Sequence, residues 1–256
     1  MDRPFEESIR VCSYDTDMHT RMTIQNLVKY FMETAIVHSD AAGFPVDRLL
    51  RENRGWVVLN WVIKMKKYPV YNDELKIETW AKPGNTLQAT RYFVMSDLKS
   101  GETVAEAASR WAFLDLENRH PVRFSLEMEK AYCYDRQAPF DPGRYNPPAE
   151  KEENLISERE ITVRRSETDT NGHTNNTRYV EWAVDDVPDD IYESCSAEEI
   201  RVLYRKECRA GDKVRIKTYL ENKDDGTKLI ITSMADAEGT VLCKMSALWR
   251  KNELQE

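Results

Sequence analysis

The sequence predicts an α+β protein in which one unit, a helix packed on an antiparallel sheet, occurs twice in tandem. Three observations lead to this prediction. Related segments recur in the two halves of the chain. Near its start, each half has the apolar spacing of a helix. Each half then continues with segments in which apolar and polar residues alternate, as in a sheet with one buried face.

The repeat is visible in three pairs of segments. "SYDTDMHTRMTIQNLVKYFME" in the first half matches "RSETDTNGHTNNTRYVEWAVD" in the second, so Asp17 corresponds to Asp169. "WVIKMKKYPVYNDELKIETW" matches "RVLYRKECRAGDKVRIKTYL", which places Asp73 opposite Asp212, and "GETVAEAASRW" matches "GTVLCKMSALW". Such self-similarity indicates a duplicated structural unit. We expect the extra residues of the first copy around "AAGFPVDRLLRENRG".

Each copy is predicted to begin with a short strand and a turn that lead into a helix. In the first copy, apolar residues recur at the spacing of one buried helical face, and Gly43 and Pro45 end the helix. The predicted buried residues are Ile24, Leu27, Val28, Phe31, Ala35 and Ile36.

The strands follow the helix in each copy. In the second copy they are predicted in "EIRVLY", "DKVRIKTYL", "KLIITSMA" and "TVLCKMSALW", where apolar and polar residues alternate. "LKSGET" and "ADAEGT" are predicted to be hairpin turns. A long helix followed by a bent antiparallel sheet is the pattern of the hot-dog fold. The predicted fold class is therefore α+β, a tandem (double) hot dog with two long helices, each wrapped by its sheet.

The segment from 138 to 154 is rich in proline and charged residues and has no periodicity, so we predict an interdomain linker. The predicted domains are an N-terminal hot-dog domain over 1–137 and a C-terminal hot-dog domain over 155–256.

Composition narrows the range of functions. The net charge is −8 and the basic residues are dispersed among acidic ones, which disfavours a nucleic-acid partner. The longest apolar run, "WVVLNWVI", is too short to cross a bilayer, and the N-terminus lacks an apolar signal segment. Widely spaced cysteines without a CxxC pair predict reduced thiols rather than disulfides or a zinc site. These are Cys12, Cys133, Cys195, Cys208 and Cys243. We expect a cytoplasmic protein with no membrane partner, no metal and no other cofactor.

The two copies differ at one helix start and one strand end. The second copy has Asp169, Asn171 and His173 before its helix, whereas the first copy has a shorter run, "DMHTRM". The second copy also has Glu207 and Cys208 where the first has Tyr-Pro. If the fold brings the strand end beside the helix start, these five residues converge. They are the candidate catalytic residues, and only the second copy has the full set.

Each candidate also has a structural interpretation. Asp, Asn and Thr form turns and cap helices, and we favour this interpretation for Asn175 and Asn176. A lone cysteine is usually a small buried hydrophobe, and a glutamate in a basic segment usually forms a surface ion pair.

In combination, the motifs resemble those of one family. The run "TDTNGHTNNTRYVEW", followed by "LYRKECRAGD", is similar to the Asp-x-Asn-x-His and Arg-x-Glu-Cys runs of the acyl-acyl carrier protein (acyl-ACP) thioesterases of plastids and bacteria. "ETWAKPGNTLQATRYFVMSDLKSGETVAEAASRWAFLD" extends the resemblance into the first domain. The resemblance implies an enzyme of fatty acid biosynthesis that hydrolyses fatty acyl-ACP to free fatty acid and ACP, which terminates chain elongation.

The resemblance also implies roles for residues and domains. The functional residues of the family map onto Asp169, Asn171, His173, Glu207 and Cys208. The first domain is implied to bind the acyl chain and the second to be catalytic. Because the targeting extension and hydrophobic anchor of the plant members are absent, we expect a bacterial, cytoplasmic enzyme.

Two chemical routes are open. In the first, Asp169 or Glu207 provides a carboxylate that activates water or attacks the carbonyl, while His173 and Asn171 polarise and orient. In the second, Cys208 is the nucleophile and His173 is its base. We favour the carboxylate route because the charge of Glu207 disfavours a neighbouring thiolate.

Other functions are open at this level. An acyl-CoA thioesterase of the same fold would act on the same phosphopantetheine arm, so a docking surface must distinguish the two carriers. Basic residues near the proposed site suit an acidic carrier protein, although a solvated surface explains them equally well. They are Arg164, Arg165, Arg178, Arg205, Lys206 and Arg209. A non-catalytic acyl-binding protein and a hot-dog dehydratase are further alternatives, and a homodimer is an open possibility.

Overall fold

A computed structural model describes residues 3–85, 87–169 and 171–252. The chain forms two compact units, Met1–Gly143 and Arg144–Glu256, and the division falls within the segment from 138 to 154. The outer ends of the two predicted domains, residues 1–2 and 253–256, lie outside the described residues. Among the described residues, no helix combines the length and the apolar character that a membrane span requires.

The first unit is an antiparallel sheet with helices. Its strands are β1 (Phe5–Arg10), β2 (Arg54–Met65), β3 (Glu74–Asn85), β4 (Gln88–Asp97), β5 (Thr103–Asp115) and β6 (His120–Pro121). Its helices are α1 (Ile24–Ala41), α2 (Val46–Arg51) and α3 (Leu126–Tyr132). Hydrogen-bonded neighbours follow the order β1-β3-β4-β5-β2, and β6 pairs with β5.

The second unit repeats this plan. Its strands are β7 (Leu155–Thr162), β8 (Cys195–Tyr204), β9 (Lys213–Asn222), β10 (Lys228–Ala235) and β11 (Val241–Lys251). Its helices are α4 (Asn176–Val184) and α5 (Asp189–Ser194). The strand order, β7-β9-β10-β11-β8, is that of the first unit when each strand is matched with its counterpart. The predicted duplication and the predicted strands are confirmed.

Backbone hydrogen bonds repeat between the units as well. The N–H of Val11 donates to the carbonyl of Asp73 at 2.9 Å, and in the second unit the N–H of Val163 donates to the carbonyl of Asp212 at 2.9 Å. Both predicted hairpin turns contain a glycine with positive φ, 74° at Gly101 and 84° at Gly239, a conformation that side chains disfavour. The equivalence of Asp73 and Asp212 in the two copies, which these hydrogen bonds show, was therefore predicted correctly.

Helix α1 packs its apolar face on the sheet of its own unit. Phe31 is fully buried, and its ring lies 5.0 Å from that of Phe93 and 6.1 Å from that of Trp61. The prediction that Ile36 belongs to this face is wrong, since its side chain is 38% exposed. Ile36 lies five residues after Phe31, which rotates it by roughly 140° around the helix axis and away from the sheet.

The two central helices differ in length. Helix α1 has 18 residues and α4 has 9, so only the first of the two predicted long helices is long. Asp185 and Asp186 follow α4, and their negative charges are unfavourable at the negative end of the helix dipole. Pro188 then prevents the helix from continuing. Because both units continue with a short helix, α2 or α5, the extra residues of the first copy lie mainly in α1. The insertion was expected after this helix, around "AAGFPVDRLLRENRG", and the structure corrects that position.

Candidate active site

A tight turn before α4 holds the first three candidate residues. The N–H of Asp169 donates to the carbonyl of His173 at 2.7 Å. Its carboxylate oxygen Oδ1 accepts the backbone N–H groups of Asn171 at 2.8 Å and His173 at 3.1 Å. Gly172 completes the turn with a φ of 75°. The carboxylate of Asp169 therefore fixes the backbone from which the His173 side chain projects.

A carboxylate and a guanidinium lie next to the imidazole of His173. The Nε2 atom of His173 is 3.3 Å from Oε2 of Glu207 and 3.3 Å from Nη2 of Arg209. The side chain of His173 is 16% exposed and that of Glu207 is 43% exposed, so water can reach the pair. The segment that follows β8 thus brings Glu207 to the turn that carries His173, which is the condition under which the sequence analysis expected candidate residues to converge.

The thiol of Cys208 points into the second unit. Cys208 is buried, and its Sγ lies 3.1 Å from Oγ1 of Thr174 and 3.1 Å from the hydroxyl of Tyr179. Burial raises the pKa of the thiol, and the two hydroxyl groups offset only part of this effect. The carbonyl of Cys208 accepts the N–H of Thr174 at 2.8 Å, which ties this segment to the turn.

The start of α4 is capped from within. The side chain of Asn175 accepts the N–H of Thr177 at 3.0 Å, in agreement with the structural interpretation of Asn175. The carbonyl of Asn176 accepts the hydroxyl of Tyr204 at 3.1 Å, so this residue also has a structural contact. The side chain of Asn171 is exposed.

The same turn occurs in the first unit with different side chains. Asp17 Oδ1 accepts the N–H groups of His19 and Arg21, both at 2.9 Å, as Asp169 does for Asn171 and His173. The two turns have equal length, so the expectation of a shorter first-copy run is wrong.

Arginine therefore stands where the second unit has the candidate histidine. The side chain of Arg21 pairs with Asp17 at 3.1 Å, and its guanidinium lies 5.8 Å from the ring centre of Tyr68. Tyr68 is the counterpart of Glu207, since Pro69 accepts the N–H of Met22 just as Cys208 accepts that of Thr174.

Sequence reasoning missed the contact between Arg209 and His173. Arg209 was assigned only to a basic surface. Side chains alternate along an extended segment, so the position two residues after Glu207 is expected on the same side as Glu207, opposite to Cys208. That alternation is the signal that could have identified Arg209. Within the described residues, no three or more His, Cys, Asp or Glu side chains form a group that could hold a metal ion.

The duplicated arrangement of a helix and an antiparallel sheet defines the class of protein as a double hot dog. Residues 2–132 match the acyl-ACP thioesterase N-terminal domain, and residues 150–251 match the acyl-ACP thioesterase C-terminal domain. The chain therefore belongs to the acyl-ACP thioesterase family.

Relatives from plants share this similarity along most of the chain. Oleoyl-acyl carrier protein thioesterase 2, chloroplastic, of Arabidopsis thaliana is 25% identical over 235 residues, which is 86% of this chain and 64% of that protein. Oleoyl-acyl carrier protein thioesterase 1, chloroplastic, of the same plant is 23% identical over 96% of this chain and 76% of its own length. The chain thus spans about two thirds to three quarters of the length of these relatives.

Solved structures confirm the fold. An acyl-ACP thioesterase from Bacteroides thetaiotaomicron has a TM-score of 0.83 at 22% identity, covering 96% of this chain and 97% of its own. The 12:0-ACP thioesterase from Umbellularia californica has a TM-score of 0.85 at 21% identity, covering 97% of both chains. The predicted tandem hot dog is confirmed.

Proposed function

We propose that the protein hydrolyses the thioester of fatty acyl-ACP and releases free fatty acid and ACP, which terminates chain elongation. The observation that carries this proposal is the pair formed by His173 and Glu207, 3.3 Å apart beside the turn that precedes α4. Membership of the acyl-ACP thioesterase family supports the choice of substrate. Glu207 is the carboxylate that lies at the imidazole, whereas Asp169 uses its oxygen to shape the turn.

In the proposed reaction, a water molecule attacks the thioester carbonyl. The water oxygen forms a bond to the carbonyl carbon, and its proton passes to the pair of His173 and Glu207. The carbon–sulfur bond then breaks, and the departing phosphopantetheine thiolate takes up the proton. General base catalysis of this kind contributes typically about 10² to 10⁴ in rate.

The N-terminal end of α4 is suited to the negative charge that develops on the carbonyl oxygen. The helix dipole is positive at this end. Because the N–H groups of Thr177 and Arg178 are already bonded to Asn175, the dipole rather than these donors is assigned to stabilise the charge. Asn171 precedes the helix with an exposed side chain. We assign it the role of orienting the water or the carbonyl.

Cys208 does not serve as the nucleophile in this proposal. Its thiol contacts Thr174 and Tyr179, and burial raises its pKa, which favours the protonated and less reactive form. These contacts support the carboxylate route and give Cys208 a structural role.

The two units have different proposed roles. We assign catalysis to the second unit and acyl-chain binding to the first, which has Arg21 and Tyr68 at the positions of the histidine and the glutamate. The exposed side chains of Arg164 and Arg165, just before the catalytic turn, suit an acidic carrier protein. Lys206 is paired with Asp236 at 2.7 Å and contributes less to this surface. All five cysteines are free thiols, which supports a reducing compartment such as the cytoplasm.

Release of free thiol from acyl-ACP by the purified protein tests the activity. Glu207→Gln keeps the shape of the side chain but removes the carboxylate, so we expect turnover to fall by at least about 100-fold. Glu160→Gln is the matched control, because Glu160 is exposed on β7 and pairs with Lys213 at 2.7 Å. The proposal fails if the protein binds acyl-ACP without releasing thiol, or if Glu207→Gln has wild-type turnover.

The choice of carrier is tested with thioesters of one chain length on ACP, on CoA and on unphosphorylated pantetheine. We expect the highest kcat/KM with acyl-ACP, and we expect added salt to lower that value more than the value for acyl-pantetheine, which is uncharged. A higher kcat/KM for acyl-CoA than for acyl-ACP would identify the protein as an acyl-CoA thioesterase.

A further inference from the structure

The imidazole of His173 has two neighbours that require opposite states of the same nitrogen. Glu207 Oε2 and Arg209 Nη2 both lie 3.3 Å from Nε2. A carboxylate accepts hydrogen bonds, so Glu207 requires a proton on Nε2. A guanidinium only donates and stays protonated, so Arg209 requires a lone pair on Nε2. One nitrogen cannot satisfy both residues at once.

The orientation of Arg209 favours the state without a proton on Nε2. The N–H of its guanidinium group points at Nε2 with the geometry of a hydrogen bond. In this state the imidazole is neutral and carries its proton on Nδ1. When Nε2 takes up a proton, Glu207 becomes the favourable partner and the positive charge of Arg209 becomes unfavourable.

The backbone explains why both side chains reach the histidine. The carbonyl of Cys208 accepts the N–H of Thr174, which follows His173, and the Cys208 side chain is buried. The flanking residues Glu207 and Arg209 are exposed and lie on the side of the imidazole. The backbone N–H of Arg209 donates to Oδ2 of Asp212 at 2.8 Å in the turn before β9, which fixes the backbone of Arg209.

We propose that Arg209 is a positioning residue that holds His173 neutral, with Nε2 ready to accept a proton, and that Glu207 stabilises the imidazolium once it forms. This inference rests on the proposed thioester hydrolysis, in which the proton of the attacking water reaches this pair. Arg209 thus sets the tautomer of the resting state, and Glu207 stabilises the state after proton transfer. Glu207 and Arg209 on the segment after β8 are charged groups beside the imidazole, and Asp169 accepts the backbone N–H of His173 in the turn.

The tautomer of His173 is measurable without any substrate. The chain has four histidines, so nitrogen NMR of labelled protein gives a short set of imidazole signals, and the signal lost in His173→Asn identifies His173. In the wild-type protein at about pH 8.5, we expect the proton of His173 on Nδ1. A proton on Nε2 in the wild-type protein would overturn the proposal, whatever the variants do.

Arg209→Met removes the donors and the charge but keeps an unbranched side chain. We expect the proton of His173 to move to Nε2, where it faces Glu207. Arg215→Met is the control, because it removes an exposed arginine from β9 of the same unit and should leave the tautomer unchanged.

The tautomer measurement and the thiol-release assay separate this inference from the proposed function. An unchanged tautomer in folded Arg209→Met would refute the positioning role while leaving thioester hydrolysis intact. Failure of the wild-type protein to release thiol would refute the hydrolysis, and the tautomer measurement would still test the contact between Arg209 and His173.

Discussion

At the scale of single residues, Cys208 and Glu207 are neighbours with opposite environments. The Cys208 side chain is buried against Thr174 and Tyr179, whereas Glu207 is exposed beside His173. Alternation along one short segment produces this difference. We therefore expect Cys208, next to the proposed catalytic glutamate, to support the fold rather than the chemistry.

The first prediction distinguishes the structural role of Cys208 from the proposed catalytic role of Glu207. Cys208→Ala should lower the free energy of unfolding by about 1 to 2 kcal/mol, through loss of a buried sulfur and its hydrogen bonds. Turnover of acyl-ACP should stay within about threefold of the wild type, because the proposed proton transfer uses His173 and Glu207. Urea denaturation and a thiol-release assay measure the two effects. A folded Cys208→Ala variant without activity would instead favour the thiol nucleophile.

At the scale of structural elements, the turn before α4 is a scaffold that the chain uses twice. In each copy one aspartate, Asp17 in the first unit and Asp169 in the second, accepts two backbone N–H groups. The side chain at the fifth position of the turn differs, arginine in the first copy and histidine in the second. In the proposed reaction, this turn positions His173 and takes no chemical part itself.

The second prediction distinguishes the shape of this turn from the charge of its aspartate. Asp169→Asn keeps an oxygen that can accept both N–H groups, so it should retain much more activity than Asp169→Ala. Asp169→Ala should lose about 2 kcal/mol of stability and most of its turnover, because His173 is no longer held in place. Kinetics and urea denaturation of both variants check this.

Asp17→Ala is the matched control for the turn. It removes the same two backbone contacts in the first unit, together with the ion pair to Arg21. We therefore expect a comparable loss of stability with turnover close to that of the wild type. If Asp169→Asn is as inactive as Asp169→Ala, the charge of Asp169 takes part in the reaction, and the role assigned to it here is wrong.

The features that the sequence predicted correctly are those encoded locally. Apolar periodicity located α1 and its buried face, alternation located the strands, and repeated Asp and Gly residues located the turns. Comparison of the copies identified His173 and Glu207 as candidates that would converge if the strand end lay beside the helix start, and they lie 3.3 Å apart. The direction of the Cys208 thiol and the contact of Arg209 were not predicted, since they depend on how the segment after β8 packs on a turn more than thirty residues away. The length of α4 was predicted wrongly because the second helix was assumed to be as long as the first.

At the scale of the whole molecule, the duplicated units differ in their buried polar groups. The first unit buries Arg91 and His38, and Nη1 of Arg91 lies 2.8 Å from Nδ1 of His38. The guanidinium also donates to Thr79 Oγ1 at 3.3 Å and lies 5.5 Å from the ring centre of Tyr132. Arg91 therefore relies on neutral acceptors, and the imidazole must stay unprotonated at Nδ1 to serve as one.

The consequence of this arrangement is a specific acid sensitivity. Burial lowers the pKa of His38 to about 3, and the charge of Arg91 adds to this effect. A histidine in the unfolded chain has a pKa of about 6.5. Below that pH the unfolded chain binds a proton that the folded chain does not bind. Folding stability therefore decreases as the pH falls from about 6.5 towards 3, by up to about 1.4 kcal/mol for each pH unit.

His38→Gln isolates this contribution, since its amide oxygen can still accept from Arg91 but does not titrate. We expect a lower free energy of unfolding at pH 7.5 and a shallower decrease between pH 6.5 and 4 than in the wild-type protein. His120→Gln is the control, because His120 is exposed and its replacement should leave the pH dependence unchanged. Intrinsic fluorescence in urea reports mainly on the first unit, which contains Trp56, Trp61, Trp80 and Trp111. Identical slopes for wild type and His38→Gln would mean that the folded protein protonates His38 as readily as the unfolded chain, and that the contact with Arg91 does not hold the imidazole neutral.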